Sequence, residues 1–408
     1  MSALATPPDP VEAFDLGHLD DGFYADPYPI YRALRERDPV HRMPDGSLFL
    51  TRWAELDRVY RDTRAFSSDK QAEFGPKYGD GPLFEHHTTS LVFNDPPLHT
   101  RVRRLIQGAL MPRALNAMEP GLRALVDRLL DGLAEKGSVD LIEDFAAAIP
   151  IEVIGNLLAV PVEERGPLRE WSLAILGALE PRLTPEQEAR GNAAVAEFLA
   201  YLRTLVTRRR VAPGDPATDV LTRLIQGEED GERLTEKELL HQCIFLLNAG
   251  HETTTNLIGN ALELLHRFPD ERARLLGDPS LMPTAIEEVL RYESSNQLGN
   301  RRVAADTDVG GVMAPAGTLL TLCIGAANRD PARFEDAERF DVARQPNRHL
   351  AFAGGAHMCV GMNLARMEGR IALAAFLARF PGYALTEVPV RARRARFRGF
   401  THLRARVK

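Results

Sequence analysis

The stretch Phe352-Ala353-Gly354-Gly355-Ala356-His357-Met358-Cys359-Val360-Gly361 sets one cysteine among three glycines. Glycine lets a backbone pass close to a flat, bulky group because it brings no Cβ. Immediately afterwards, Met362 to Phe380 reads as an amphipathic helix. A helix N-terminus offers free N–H groups and positive potential, and both favour a thiolate over a thiol. A thiolate at this point can ligate a metal. A buried structural cysteine in a Gly-rich turn is the plainer alternative, and the loop residues alone leave both open.

Upstream, helical spacing runs from Thr235 to Phe268, opening on a Thr235/Glu238 capping box and stopping at Pro269. At ~1.5 Å per residue such a helix is about 50 Å long and must cross the core. Its middle, Ala249-Gly250-His251-Glu252-Thr253-Thr254-Thr255, is poor helix sequence. Glycine is disfavoured there by about 1 kcal/mol. Three threonines add β-branched strain and hydroxyls that bond back to the preceding turn. A loosened turn that admits a diatomic ligand, with an acid–alcohol pair to move protons, accounts for the combination. A solvent-facing patch with a satisfied carboxylate is the competing account.

The cysteine loop resembles the haem-binding signature of cytochromes P450, Phe-Gly-x-Gly-x-His-x-Cys-x-Gly. Phe352, Gly355, His357, Cys359 and Gly361 match it, and Ala353 stands where glycine is usual. The resemblance implies heme b held through the Cys359 thiolate, a ligand that pushes electron density onto iron and aids O–O cleavage. It also implies the P450 fold: mainly α with minor β, a long central helix crossing the domain over the haem. The mid-helix segment is similar to the family's oxygen-activation motif, Ala/Gly-Gly-x-Asp/Glu-Thr. On that resemblance Gly250, Glu252 and Thr253 carry proton delivery, and His251 packs elsewhere.

Further elements follow in the family's order, from Asp26-Pro27-Tyr28-Pro29 to the tail. Glu288 and Arg291 resemble its Glu-x-x-Arg pair, which takes a third partner from the irregular segment Asn328–His349. Arg339 and Arg344 both qualify for that place. His99, Arg103, Arg302 and His357 match positions that contact the haem propionates, groups that need cationic or hydrogen-bonding partners. An ordinary surface charge is the alternative for each.

The 408 residues carry 50 Lys and Arg against 57 Asp and Glu, a net charge of −7, which argues against nucleic-acid binding. Met1–Pro10 does not read as a secretory signal, and no stretch approaches the ~18 apolar residues of a membrane span. Three cysteines, an odd and sparse set, point to a reducing, cytoplasmic setting. Residues 1–20 are expected as a loosely held arm and 21–408 as a single domain, a monomer by default.

The resemblance implies a monooxygenase that hydroxylates, epoxidises or dealkylates a small organic substrate with O2. No flavin or iron–sulfur module is expected after the last helix, so electrons come from a separate ferredoxin or flavodoxin-type donor. Arg101, Arg104, Arg113 and Arg366 are expected on the thiolate side, where an acidic ferredoxin would dock; solvated surface charge explains them as well. Family analogy places the substrate pocket at Phe93 in Leu91–Phe93, near Trp171–Glu180, at Leu246, Asn248 and Ala249, at Gln297 and Leu298 in the stretch after Arg291, and in the tail near Phe397–Phe400, at Phe400. Ser295, Asn296, Gln297 and Asn300 offer polar anchoring, or simply satisfy loop backbone. Two rivals are a peroxide-driven haem-thiolate peroxygenase, which the Glu252–Thr253 pair argues against, and a non-enzymatic haem-binding sensor, which needs no proton relay.

Overall fold

A computed structural model of the chain describes residues 9–216, 219–229 and 232–408. The helices that build the site are α1 (Pro82–Thr89), α2 (Leu98–Ala109), α3 (Ala148–Leu157), α4 (Leu168–Gly177), α5 (Pro185–Val211), α6 (Glu236–Arg267), α7 (Met282–Tyr292) and α8 (Met362–Arg379). The capping box expected at the start of α6 is present: Glu238 N–H donates to Thr235 Oγ1 (3.2 Å), and Thr235 N–H donates to Glu238 Oε2 (2.8 Å). Two orphan donors of the first turn are thereby satisfied. α6 has 32 residues, and α3, α4, α5, α7 and α8 all pack against it.

The poor helix sequence in the middle of α6 does not break it, because the helix is continuous from Glu236 to Arg267. The threonine hydroxyls bond back instead: Thr253 Oγ1 donates to the Ala249 carbonyl (2.8 Å), and Thr255 Oγ1 to that of His251 (3.0 Å). Packing also asks for Gly250. A Cβ there would sit 2.6 Å from Ile154 Cδ1 on α3, so a larger residue would require that side chain to shift.

Five short strands make the main sheet: β1 (Val40–Arg42), β2 (Leu48–Leu50), β3 (Phe66–Ser67), β4 (Leu298–Val303) and β5 (Leu319–Cys323), in the order β1-β2-β5-β4-β3. Only the β2–β5 pairing is parallel, and Arg301 of β4 lies opposite Leu320 of β5. β4 begins at Leu298, earlier than the strand expected at Arg302, and that start carries its residues along the cavity wall.

Asn328–His349 contains no strand and, after Ala327, no helix. Arg291 organises it. All five of its guanidinium N–H groups are used: two on Glu288 (2.8 and 2.9 Å), and three on the carbonyls of Asn328, Ala337 and Arg339 (2.8–2.9 Å). Both members of the pair are 0% exposed. The third partner is Arg344, whose Nε donates to Glu288 Oε1 at 3.2 Å, whereas Arg339 offers only its backbone carbonyl.

The N-terminal arm is more ordered than its composition implies. Residues 1–8 lie outside the described residues, but Val11, Phe14 and Leu16 are buried, and Phe14 packs on Phe49 with ring centroids 4.9 Å apart. Apolar side chains spaced among the prolines and aspartates tie it down.

Candidate active site

α6 and the loop ending at Gly361 line one cavity of about 320 Å³. Within that loop the Cys359 N–H donates to the Phe352 carbonyl at 2.9 Å, which turns the cysteine inward. Gly355 has φ +63° and a Cβ there would meet the Tyr60 carbonyl oxygen at 2.2 Å, so only glycine fits. Ala353, where the signature usually has glycine, is also left-handed at φ +55°. Its methyl group is tolerated at a conformational penalty of about 1–2 kcal/mol.

Cys359 lines the cavity and is exposed to it, whereas Cys243 and Cys323 are buried. Burial pushes its thiol pKa up, and the Gly361 N–H and the cations Arg103 and Arg366 pull it down.

Around this cysteine the structure gathers groups suited to a dianionic, flat cofactor. His99 and His357 lie ring on ring with centroids 3.9 Å apart, and both His99 nitrogens are buried without a partner among the described residues. Burial lowers the His99 pKa to about 4 and the His357 pKa to about 2, so the rings are neutral and can offer hydrogen bonds. Arg103 lines the cavity and donates to the Met358 carbonyl (2.7 Å).

The strand arginine is not the one expected. Leu298, Gly299, Asn300 and Arg301 of β4 line the cavity and Arg302 does not, although among the described residues the Arg302 Nε is buried without a partner. Arg301 is buried and lies over the Tyr60 ring, 5.3 Å from its centroid. Neither Arg103 nor Arg301 forms an ion pair with a carboxylate among the described residues. Orphaned histidine nitrogens, two uncompensated guanidinium groups and an inward cysteine fit a haem and its two propionates.

On the opposite wall, Ala249, Gly250 and Thr253 reach the cavity and Glu252 does not. Arg394 Nη1 donates to both oxygens of Glu252 at 2.7 Å, and Arg394 Nη2 to the Leu173 carbonyl (3.0 Å). Burial raises the Glu252 pKa and Arg394 opposes it, leaving it at about 7. The expected acid–alcohol pair is therefore split, with the hydroxyl facing the cavity and the acid held behind it. His251 is buried away from the cavity, its ring nitrogens unpartnered.

Phe93, Leu246, Asn248, Ala249 and Leu298 line the cavity as expected, joined by Leu176 and Leu179 near the end of α4. Gln297 does not; its amide donates to the Ser294 carbonyl (2.7 Å) and the Tyr28 hydroxyl (3.3 Å). Of the expected tail segment Phe397–Phe400, Phe397 lines the cavity, while Phe400 is turned away under the Arg391 guanidinium (3.8 Å to the ring centroid). Ser295, Asn296 and Asn300 all reach the cavity.

Sequence reasoning missed Tyr60, Glu368 and Arg396, which also line it. A charged residue on the inner face of α8 was the available signal for Glu368. Burial raises the Glu368 pKa to about 8, with a hydrogen bond to Thr254 opposing. Of the basic residues expected on the thiolate side, Arg101 pairs with Glu238, Arg366 pairs with Glu287 (2.7 Å), and Arg104 is also engaged. Among the described residues no helix is long and apolar enough to cross a membrane.

Comparison with known proteins agrees with this geometry. The cytochrome P450 family model matches residues 176–391. Cytochrome P450 107B1 of Saccharopolyspora erythraea is 39% identical over 392 residues, 93% of each chain. The 6-deoxyerythronolide B hydroxylase of the same organism is 37% identical, covering 95% of this chain and 97% of its own. The solved structure of P450BioI in complex with hexadec-9Z-enoic acid ligated acyl carrier protein superposes with a TM-score of 0.89 at 32% identity, over 95% of this chain and all of that one. A cysteine turned into a cavity beneath a long central helix, in a chain so similar to these enzymes, makes this protein a member of the cytochrome P450 family, a haem-thiolate monooxygenase.

Proposed function

We propose that Cys359 ligates the haem iron, that His99, His357, Arg103 and Arg301 hold the propionates, and that Thr253 and Glu252 handle the protons of the reaction. The observation that carries this reading is the cavity shared by Cys359, Arg103, Arg301 and Thr253. When bound, haem supplies the reductive activation of O2 with a thiolate ligand that promotes O–O cleavage. The remaining work falls to the chain. Apolar side chains from Leu91, Phe93, Leu246 and Phe397 exclude water and hold an organic substrate against the α6 wall. Thr253 presents its hydroxyl there, and Glu252, with a pKa of about 7, can take up and release a proton near neutral pH. The Arg394 pair positions that carboxyl; it is a positioning residue rather than one that meets substrate.

Electrons come from a separate protein, of the ferredoxin or flavodoxin type, docking on the face around Arg113, which is exposed. With Arg101 and Arg366 already in ion pairs, the attraction there is weaker than a count of basic residues implies. A reducing, cytoplasmic setting fits the odd, sparse cysteine set.

Reconstitution with a ferredoxin, its reductase and NADH tests the assignment. Thr253→Ala and Glu252→Gln are expected to keep consuming NADH while losing most product, because proton delivery fails and electrons are diverted to peroxide. Full coupling in both variants would remove these residues from the relay.

A further inference from the structure

Arg396 carries a charge that none of the roles above uses. It lies in the tail, lines the cavity and is mostly buried. Its Nε donates to the Leu179 carbonyl (3.2 Å), its Nη1 to the Leu298 carbonyl (2.9 Å), and its Nη2 to the Asn300 side-chain oxygen. A guanidinium has five N–H groups, so these neutral acceptors leave two unused. No carboxylate lies within ion-pair distance of it among the described residues. A buried cation without a counter-ion is expensive in free energy, and a fold keeps one where a ligand supplies the anion.

The surroundings do not neutralise it. Glu73 is taken by Lys70. One Glu180 oxygen accepts from the N–H groups of Ala395 (2.8 Å) and Arg396 (3.2 Å). Glu180 also faces a second cation, since Lys77 Nζ donates to its carbonyl (2.8 Å). Glu188 is half-buried and forms no ion pair with Arg396 among the described residues. Among the described residues none of these three carboxylates forms an ion pair with the Arg396 guanidinium, although Glu180 and Glu73 act on it at longer range. Beside it, the Tyr60 hydroxyl is buried, lines the same cavity and has no hydrogen-bond partner among the described residues. A Cβ on Gly299 would lie 2.4 Å from that oxygen, which places it against the β4 residues that Arg396 binds.

We propose that Arg396, with the Tyr60 hydroxyl, binds a carboxylate on the substrate, so that this enzyme oxidises an apolar organic acid held by its acid end. The apolar body then lies along Leu91, Phe93, Leu246 and Phe397. A haem propionate is the other source of a carboxylate here. Four groups already serve the propionates, and Arg396 reaches the other way, to Leu179 beyond the end of α4. The inference rests on the monooxygenase reading.

The test uses purified holoenzyme, wild type, Arg396→Gln, Arg396→Lys and Tyr60→Phe, titrated with dodecanoic acid, 4-butylbenzoic acid and their methyl esters. Binding is read from the haem spin-state shift. Wild type is expected to bind at least one acid roughly tenfold or more tighter than its ester, the difference made by one charge-assisted hydrogen-bonded contact. Arg396→Gln is expected to abolish the preference with ester affinity unchanged, and Arg396→Lys and Tyr60→Phe to keep part of it. Equal binding of acid and ester, no binding of any probe, or an acid preference that survives Arg396→Gln would overturn the proposal. Loss of haem from Arg396→Gln with no acid preference in wild type would assign the charge to a propionate and also overturn it. The ferrous–CO spectrum of each protein, recorded alongside, separates failure of this inference from failure of the haem-thiolate assignment.

Discussion

Substituting the three arginines around Glu288 one at a time separates side-chain from backbone contributions to the core behind the cysteine loop. Arg291→Ala removes both donors that face the Glu288 carboxylate at 2.8 and 2.9 Å and strands three carbonyls. Breaking a buried pair from one side costs about 3–5 kcal/mol, because the surviving charge is left uncompensated. Against a typical total of about 5–15 kcal/mol, this is the largest loss of the three and should lower the urea midpoint markedly. Arg344→Ala removes one bond to Glu288 (3.2 Å) and donations to the carbonyls of Glu335, Asp336 and Arg339 (2.6–3.1 Å), while Arg291 still neutralises the acid. The expected loss is about 1–3 kcal/mol. Arg339 contributes a carbonyl that alanine also has, and its side chain is exposed, so Arg339→Ala should fall within about 0.5 kcal/mol of wild type. Urea unfolding followed by far-ultraviolet circular dichroism and by the haem band measures all three. An Arg339→Ala loss equal to or larger than that of Arg344→Ala would refute the reasoning.

Other substitutions probe the site and its surroundings. Ala353→Gly relieves a left-handed alanine at φ +55° and should stabilise the protein by about 1 kcal/mol after glycine's greater unfolded-state entropy is counted; an unchanged or lower urea midpoint contradicts this. Arg301→Ala should speed haem transfer to apomyoglobin at least roughly tenfold through loss of a charge-assisted contact. Arg302→Ala should leave that rate near wild type, and the reverse pattern would mean that Arg302 faces the propionates. His251, whose pKa burial lowers to about 3 beside Arg169 and Arg394, stays neutral in the folded chain while the unfolded ring protonates below its ordinary 6.5. The folded state therefore loses stability as pH falls through that range, about 2 kcal/mol by pH 5. His251→Leu should be less acid-labile than wild type by that amount, and equal losses between pH 7.5 and pH 5 would contradict the argument.

The parts of the molecule legible in the sequence are those governed by local rules. The capping box at Thr235, the length of α6 and the Gly-rich cysteine loop depend on hydrogen bonds and backbone freedom within a few residues. The parts that were not legible depend on which face a residue presents after tertiary packing. The cavity wall ends one residue along β4, after Arg301, so Arg301 lines it where Arg302 was expected. Glu252 and Thr253 are neighbours in sequence, yet about 100° of helical rotation sends one to Arg394 and the other to the cavity. The third partner of Glu288 lies in a segment with no periodicity to read, so Arg339 and Arg344 could be told apart only by where their side chains go. Arg396 and Tyr60, far apart in sequence and outside any motif, meet only through the fold.

The central claim is most directly tested by the ferrous–CO difference spectrum of the purified protein beside a Cys359→Ala variant. The account predicts a strongly red-shifted Soret band in the wild type that is lost in the variant. A protein that takes up no haem, or a band typical of histidine ligation that survives the substitution, would contradict it.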